Sequence, residues 1–383
     1  MQIIISKEIG RIKFLYEEAE ECFAHEILYP EYLSPTDDAV FRVALLARPR
    51  NSSTYSVSGV IPNASSVDFF EKTYNCKIDA LTDDVSPKGP AKQLADDVYL
   101  CFSGGFDSIA ARAILPESTK LVSNEFGGAF ERESVFFKTF DTNVIQWDLR
   151  RTRTNGQPKF NETTDWRFML APALLFKHAD KPITLATGTI LEASPFWYAG
   201  QSKPNFQSYS SFGFGPDVSV INPVSCISEY ATTLIAAKQL SAESLSDSLD
   251  SLAAPASLKR YRKEVLIALA QNSTVPTPRL DMPKHLFGRG LGDDAIALYL
   301  VWKLGRDWVL SNYCSNIPSN SRYLDMSFFE RIHVNNLNCF HDMDKQAILE
   351  KLESFGLSIY SDNDYLNLER SKELRQEFIS QAK

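Results

Sequence analysis

Cysteine and histidine are sparse in this sequence, and neither clusters. The six cysteines (Cys22, Cys76, Cys101, Cys226, Cys314, Cys339) include no pair at CxxC spacing, so neither a zinc ribbon nor a disulfide framework is expected. They read as reduced and mostly buried small apolar residues. Of the five histidines only His333 and His341 lie near each other, with Cys339 between them, and that spacing matches no familiar metal pattern. Long apolar runs are also lacking. The longest, residues 295–302, cannot span a bilayer that requires roughly 20 apolar residues. Residues 1–8 have neither the length nor the basic region of a signal peptide, so the expected address is cytoplasmic, with no membrane partner. Positive charge is in deficit, with 40 Lys and Arg against 48 Asp and Glu and a net charge of -8. Broad nucleic-acid binding, which draws its affinity from phosphate neutralisation, is not expected. No internal repeat or low-complexity tract occurs.

What is present is a chain of 383 residues, 44% hydrophobic and 23% charged, long enough for a real core and for more than one domain. Residues 1–90 read as a small α+β domain, with strands at 3–5, 41–46 and 55–61 and a helix at 67–74 begun by Ser65 or Ser66. Residues 83–90 collect Asp, Ser, Pro and Gly and mark a boundary. From residue 97 short apolar runs alternate with helical stretches, which predicts a doubly wound, mainly parallel five-stranded sheet over residues 91–240. Its strands are expected at 98–102, 119–123, 143–148, 182–187 and 218–221, and its helices at 107–115, 131–140, 165–178 and 227–238. Residues 241–383 form a mostly helical carboxyl-terminal region. There 241–251 reads as a Ser/Asp-rich connection, 258–270, 294–304 and 344–355 read as helices, and Pro276 and Pro278 prevent continuation of the first.

The chemistry concentrates in Ser103-Gly104-Gly105-Phe106-Asp107-Ser108. This run follows a buried strand and opens a helix, the place where an open α/β sheet takes its ligand. Gly104 and Gly105 lack a Cβ, which lets backbone N–H groups turn toward phosphate oxygens at close range. Ser103 and Ser108 add hydroxyl donors, and the positive end of the following helix favours the same anion. Asp107 suits such a site if a magnesium ion is shared with the phosphates; it suits a helix cap equally. The run is neither a Walker A loop nor a dinucleotide GxGxxG.

Strand, SGGxDS and helix resemble the PP-loop ATP pyrophosphatases, the superfamily that includes the synthetase domains of asparagine and GMP synthetases and the deazaguanine-nitrile synthases. The resemblance covers residues 97–238 and implies a HUP-like fold. It further implies ATP and Mg²⁺ as cofactors, adenylation of a carboxylate or carbonyl oxygen of a small-molecule substrate, and release of pyrophosphate. By that resemblance Ser103, Gly104, Gly105, Phe106, Asp107 and Ser108 bind the nucleotide and Asp107 holds the metal. Asn124, at the end of the second strand, and Thr187 with Gly188, at the end of the fourth, are companion nucleotide contacts. Glu192 is a catalytic candidate as a magnesium or substrate ligand, or else a helix-start carboxylate.

Arg150, Arg151, Arg153 and Arg167 cluster after the third strand, as anion ligands or as a solvated loop. In Phe287-Gly288-Arg289-Gly290-Leu291-Gly292-Asp293-Asp294, Arg289 joins Asp107 and Glu192 as a catalytic candidate, on a turn suited to binding an anion or magnesium; Asp293 or Asp294 equally suits a helix cap. This stretch, with Asn222-Pro223-Val224 leading to Glu229, is similar to the PP-loop-like epimerases of the glutamate in UDP-N-acetylmuramoyl-dipeptide. The cysteine cluster common near the end of those enzymes and of the deazaguanine synthases is lacking. Position 2 is Gln2, so no amino-terminal nucleophile glutaminase is expected. Three readings follow: an AMP-forming ligase, an adenylation-driven epimerase, and a deazaguanine-synthase-like subunit of a larger defence complex. A homo-oligomer and a partner subunit are both compatible with the sequence.

Overall fold

The computed structural model describes residues 1–49, 51–84, 97–127, 131–147, 166–178, 181–193, 213–278, 282–337, 340 and 342–381. In chain order its elements are β1 (Gln2–Glu8), β2 (Arg11–Glu18), β3 (Glu21–Leu28), α1 (Asp37–Leu46), β4 (Thr54–Ser58), α2 (Ala64–Tyr74), β5 (Lys77–Asp79), β6 (Val98–Cys101) and α3 (Phe106–Ile114). There follow β7 (Lys120–Glu125), α4 (Glu131–Phe137), β8 (Thr142–Trp147), β9 (Ile183–Ala186), β10 (Val218–Ile221), α5 (Glu229–Gln239), α6 (Ala242–Leu252) and α7 (Leu258–Ala270). The last are β11 (His285–Leu286), α8 (Leu291–Leu304), α9 (Arg306–Asn312), β12 (Cys314–Asn316), β13 (Arg331–Ile332), α10 (Asp342–Ser354), β14 (Ser358–Ile359) and α11 (Asp362–Gln381). They fall into two compact units. The sheet unit comprises Met1–Ser103, Glu117–Ala186 and Gln207–Ile221; the helical unit comprises Gly104–Pro116, Thr187–Phe206 and Asn222–Lys383.

The sheet unit holds a ten-stranded sheet among the described residues, in the order β10-β9-β6-β7-β8-β3-β2-β1-β4-β5. The α/β class and the mostly parallel sheet agree with the sequence; the expected five strands are corrected to ten. The five expected strands do form one parallel run, β10-β9-β6-β7-β8. The sheet does not end there, because Ile27 and Leu28 of β3 pair antiparallel with Trp147 and Gln146 of β8. The β2–β3 hairpin, absent from the sequence reading, closes through Ala19 at a φ of 56°. It alternates Ile12, Phe14, Tyr16, Phe23 and Ile27 into the core with polar residues outward, the period of two that marks a half-buried strand.

Two further expectations in this unit are corrected. Residues 41–46 are not a strand but the end of α1, begun by Thr36, whose side chain accepts the Ala39 N–H. Nearly every residue of α1 is buried, and an apolar run without a polar face carries no helical period to read. Residues 166–176 form two 3₁₀ segments, Trp166–Met169 and Ala171–Phe176, in place of an α-helix. Pro172 stands at the start of the second, where its missing N–H prevents the chain continuing from the first. Val40, Phe41 and Ala44 of α1 pack with Ile3, Phe14, Ile27, Leu170 and Leu174 in one core.

The helical unit is built on a second core that includes Tyr230, Tyr261, Val265, Leu298, Tyr299, Phe328 and Phe329. Ser228, Ser241 and Ser257 cap α5, α6 and α7, accepting the N–H groups of Ala231, Ser244 and Arg260. Residues 242–252 are therefore a helix, not a connection. Leu245, Ser248 and Leu249 supply its buried face, and small serines on that face disguise the apolar period. No helix among the described residues is long and apolar enough to cross a membrane.

Candidate functional site

The SGGxDS run enters the helical unit at Gly104. Gly104 has a φ of 75°, the left-handed region that a glycine enters without a Cβ penalty. Its carbonyl accepts the Ser248 Oγ hydrogen bond at 2.8 Å, which ties the turn to α6. Gly105 then caps α3 in extended geometry with no side-chain hydrogen bond at the cap. Its carbonyl accepts the Ile109 N–H at 2.9 Å and the Ser108 Oγ at 2.8 Å. Asp107 does not cap α3; it lies in the first turn, a position where an acidic side chain complements the helix dipole.

Against this turn stands the second glycine loop. A Cβ built on Gly188 would lie 3.1 Å from both the Asp107 carbonyl carbon and the Ser108 nitrogen. Only a glycine lets the 187–189 backbone approach the first turn of α3 so closely. Thr187 is buried, with its Oγ1 3.4 Å from that of Thr189, and the Thr189 carbonyl accepts from the Asn222 Nδ2. The two loops separated by about 80 residues in the sequence thus meet at the start of one helix.

Around them is a buried cluster of charge. The Asp107 carboxylate accepts the Thr232 Oγ1 at 2.6 Å and lies 3.9 Å from Lys263 Nζ. Lys263 is 4% exposed, 2.9 Å from Glu229 Oε1 and 5.0 Å from the centroid of the Phe106 ring. Arg262 approaches the same Glu229 oxygen at 3.2 Å and also pairs with Asp293. Burial pushes the Glu229 carboxyl up, but Lys263 and Arg262 outweigh it and hold it below the ordinary range. Glu192 is the opposite case. It is 1% exposed, and burial first, then the charge of Glu229 and to a lesser degree Asp107, push its carboxyl up to about 8. Its Oε1 accepts the Glu229 N–H at 2.6 Å, while Oε2 has no partner among the described residues. Two carboxyl groups of one cluster are thereby driven apart in proton affinity by what surrounds each.

The 287–294 stretch reaches the same cluster. A Cβ on Gly292 would lie 3.8 Å from the Glu192 Cγ. Arg289 is exposed, and no side-chain hydrogen bond or ion pair joins it to another described residue. Neither Asp293 nor Asp294 caps α8, which begins at Leu291 behind Gly290 without a side-chain cap. Asp293 pairs with Arg262. Asp294 is fully buried and accepts from Gly288 N–H at 2.9 Å, His285 Nε2 at 2.7 Å and Arg375 Nε at 2.7 Å. Asp294, one of the two expected caps, lies four residues past the observed cap Gly290 and is the centre of the turn's hydrogen bonds.

Gly104, Gly105, Phe106, Asp107, Ser108, Thr187, Gly188, Glu192 and Arg289 therefore all belong to the helical unit, whereas Ser103 and Asn124 belong to the sheet unit. Asn124 is the penultimate residue of β7, and its Nδ2 donates to the Met169 carbonyl at 2.6 Å. Arg167 is also in the sheet unit, donating from Nη1 to the Tyr74 hydroxyl at 2.7 Å. Arg150, Arg151, Arg153, Cys339 and His341 lie outside the described residues. Cys22, Cys76, Cys101, Cys226 and Cys314 are free thiols.

Lys263 and Thr232 escaped the sequence reading. Lys263 sits in a basic run, Lys259-Arg260-Tyr261-Arg262-Lys263, that looks like a solvated helix face, and nothing in the run distinguishes the buried lysine from its neighbours. The signal that was legible is the pair of glycine loops. No group of three or more His, Cys, Asp or Glu side chains among the described residues is arranged to hold a metal by itself. The chain matches no family model, no curated protein and no solved structure.

Proposed function

We propose that this protein binds ATP in the helical unit at residues 104–108 and 187–189 and cleaves it to AMP and pyrophosphate while activating an oxygen of a second substrate. The observation that carries the reading is the seating of Gly188 on the Asp107–Ser108 peptide at the start of α3, where the cap residue Gly105 brings no side chain. Together with the left-handed Gly104 it offers backbone N–H groups and the positive end of a helix dipole to a polyphosphate.

Magnesium fits this donor set in one particular way. Asp107 lies in the first turn of α3 with its side chain 35% exposed, and a hard cation that takes most of its oxygens from phosphates and water requires only one or two carboxylates. Asp107 would hold it, and when bound it would neutralise phosphate charge. The roles left to the chain are its own. The α3 amides receive the anion, Lys263 offers a buried ammonium that Glu229 keeps in position, and Arg289 offers an exposed guanidinium for a further anionic group. In the step proposed, a carboxylate or carbonyl oxygen of the second substrate attacks the α-phosphorus, the bond to the bridging oxygen breaks, and pyrophosphate leaves with the electron pair. Positioning and charge neutralisation supply the acceleration.

Glu192 supports two continuations. A buried carboxyl titrating near 8, with one oxygen that has no partner among the described residues, suits the acceptance of a proton near neutral pH. That proton comes from an incoming amine in a ligase or from the carbon next to the activated carboxyl in an epimerase. Incubation with α-labelled ATP and candidate carboxylates tests the common half-reaction: AMP is expected, and ADP or an absence of nucleotide binding would remove the proposal. Asp107→Ala should lower AMP formation by roughly 10²–10³-fold, the scale of losing one preorganised electrostatic contact, with the thermal transition retained. Solvent deuterium on the substrate carbon without net amide formation would select the epimerase.

A further inference from the structure

The turn that carries Arg289 is held from behind. Its peptide at Gly288 donates to Asp294 Oδ1 at 2.9 Å, and the same oxygen accepts His285 Nε2 at 2.7 Å. The other carboxylate oxygen is taken by Arg375 Nε at 2.7 Å, from the penultimate turns of α11. Apolar contact reinforces this clasp. Phe378 meets Phe287 edge-on with ring centroids 5.2 Å apart, and a Cβ on Gly288 would lie 3.4 Å from Ile379 Cγ1. On its other side the turn is fixed by Asp293 to Arg262 and by Gly292 against Glu192. One residue of the turn, Arg289, is left exposed.

We infer that α11 is a brace for the 287–293 turn, and that Arg375 is a positioning residue that acts through Asp294 to hold the Arg289 guanidinium beside the nucleotide site. The inference rests on the ATP reading for what Arg289 would touch, and on geometry alone for the brace itself. The physical argument is the location of the ion pair. Asp294 is fully buried and Arg375 is 18% exposed, so the pair is shielded from solvent and its hydrogen bonds are directional and charge-assisted. A surface pair would have little power to fix a backbone turn. Asp294 reads the turn directly through the Gly288 N–H, and a change at Arg375 is therefore conveyed to Arg289 through one carboxylate and one peptide. The brace also explains why the carboxyl-terminal helix, otherwise remote in sequence from every nucleotide motif, buries Leu368 in the same core as α8.

The test combines two readouts on the full chain. In the first, amide hydrogen exchange of residues 287–292 is compared in the wild-type protein, Arg375→Gln and Arg375→Lys, without nucleotide. Gln is expected to accelerate exchange in the turn while the core of α8 stays protected, and Lys to restore part of the protection. In the second, binding of ATP with magnesium is measured for Arg289→Ala, Arg375→Gln and the double variant. Each single change is expected to weaken binding by about tenfold, and the double variant to be no weaker than the worse single, because coupled residues are not additive. Additive losses, or exchange in the turn unchanged by Arg375→Gln, would overturn the brace. Should Arg375→Gln disturb folding as a whole, Phe378→Ala loosens the same clasp without leaving a charge unpaired, and unchanged exchange in that variant would overturn the brace equally. If the wild-type protein binds no ATP but the turn responds as described, the brace stands and the ATP reading falls.

Discussion

Glu192 is the residue whose environment says most. A carboxyl raised to about 8 from an ordinary 4.5 is protonated in the folded chain over a range where the unfolded chain has already ionised. Between those values the unfolded state binds fewer protons, so stability falls as pH rises. The favourable contribution is complete below about pH 4.5, declines through the interval and is gone above about pH 8. Glu192→Gln, which keeps the shape and loses the titration, should flatten that limb. Thermal unfolding of both proteins from pH 5 to 9 checks this, with the variant gaining on the wild type as pH rises. Activity should move the other way. If Glu192 accepts a proton, turnover after activation rises with pH to a plateau above about 8, and the Gln variant lacks the limb while still releasing AMP. A wild-type profile without a limb near 8 would remove Glu192 from the proton transfer. Lys263 and Glu229 show the complementary arrangement, a buried ion pair whose carboxylate is kept charged by two cations.

Among the elements, legibility followed periodicity. Helix α7 has the limits expected from the sequence, and its buried face, Tyr261, Val265 and Ala268, recurs at helical spacing behind the Ser257 cap. The parallel strands β6, β7, β9 and β10 were read because short apolar runs between polar loops have few alternatives. Helix α1 was misread because burial on all sides erased its period, and β2 and β3 were passed over although their alternation was present. At the site, the two glycine loops were legible as letters, but their meeting was not: the contact between Gly188 and the Asp107–Ser108 peptide is set by tertiary packing. That contact is testable at the level of the loop. Gly188→Ala must displace backbone atoms by a few tenths of an ångström, an overpacking expected to cost about 1–3 kcal/mol and to weaken ATP binding. Gly292→Ala, whose added carbon meets Glu192 Cγ at an ordinary 3.8 Å, is the control and should leave stability near wild type. Equal behaviour of the two variants in a denaturant titration would show that the loop approach has no energetic consequence.

For the whole molecule, the chain passes between its two units at residues 103, 116, 186, 206 and 221, so no single cut separates them. The amino-terminal strands and the parallel run are joined by the pairing of β3 with β8 and by a buried charge network that spans both. Arg42 of α1 pairs with Asp38 at 2.7 Å and with Asp217, just before β10, at 2.6 Å. Lys177 takes the other oxygen of Asp217 at 2.8 Å, and Ser66 accepts from Arg42 at 2.9 Å. A fully buried guanidinium between two carboxylates contributes little net stability compared with an apolar replacement of both sides, but removing it alone strands charge in the core. Arg42→Ala is therefore expected to destabilise the protein by about 3–5 kcal/mol. Because Arg42 links residues 175 positions apart, the loss should appear as an earlier transition of the entire sheet unit, not as local fraying of α1. Urea unfolding followed by far-ultraviolet circular dichroism and by amide exchange in β1 and β10 distinguishes the two. If β1 loses protection while β10 keeps it, the amino-terminal strands are a separate cooperative unit, and the buried network does not couple the two halves of the sheet.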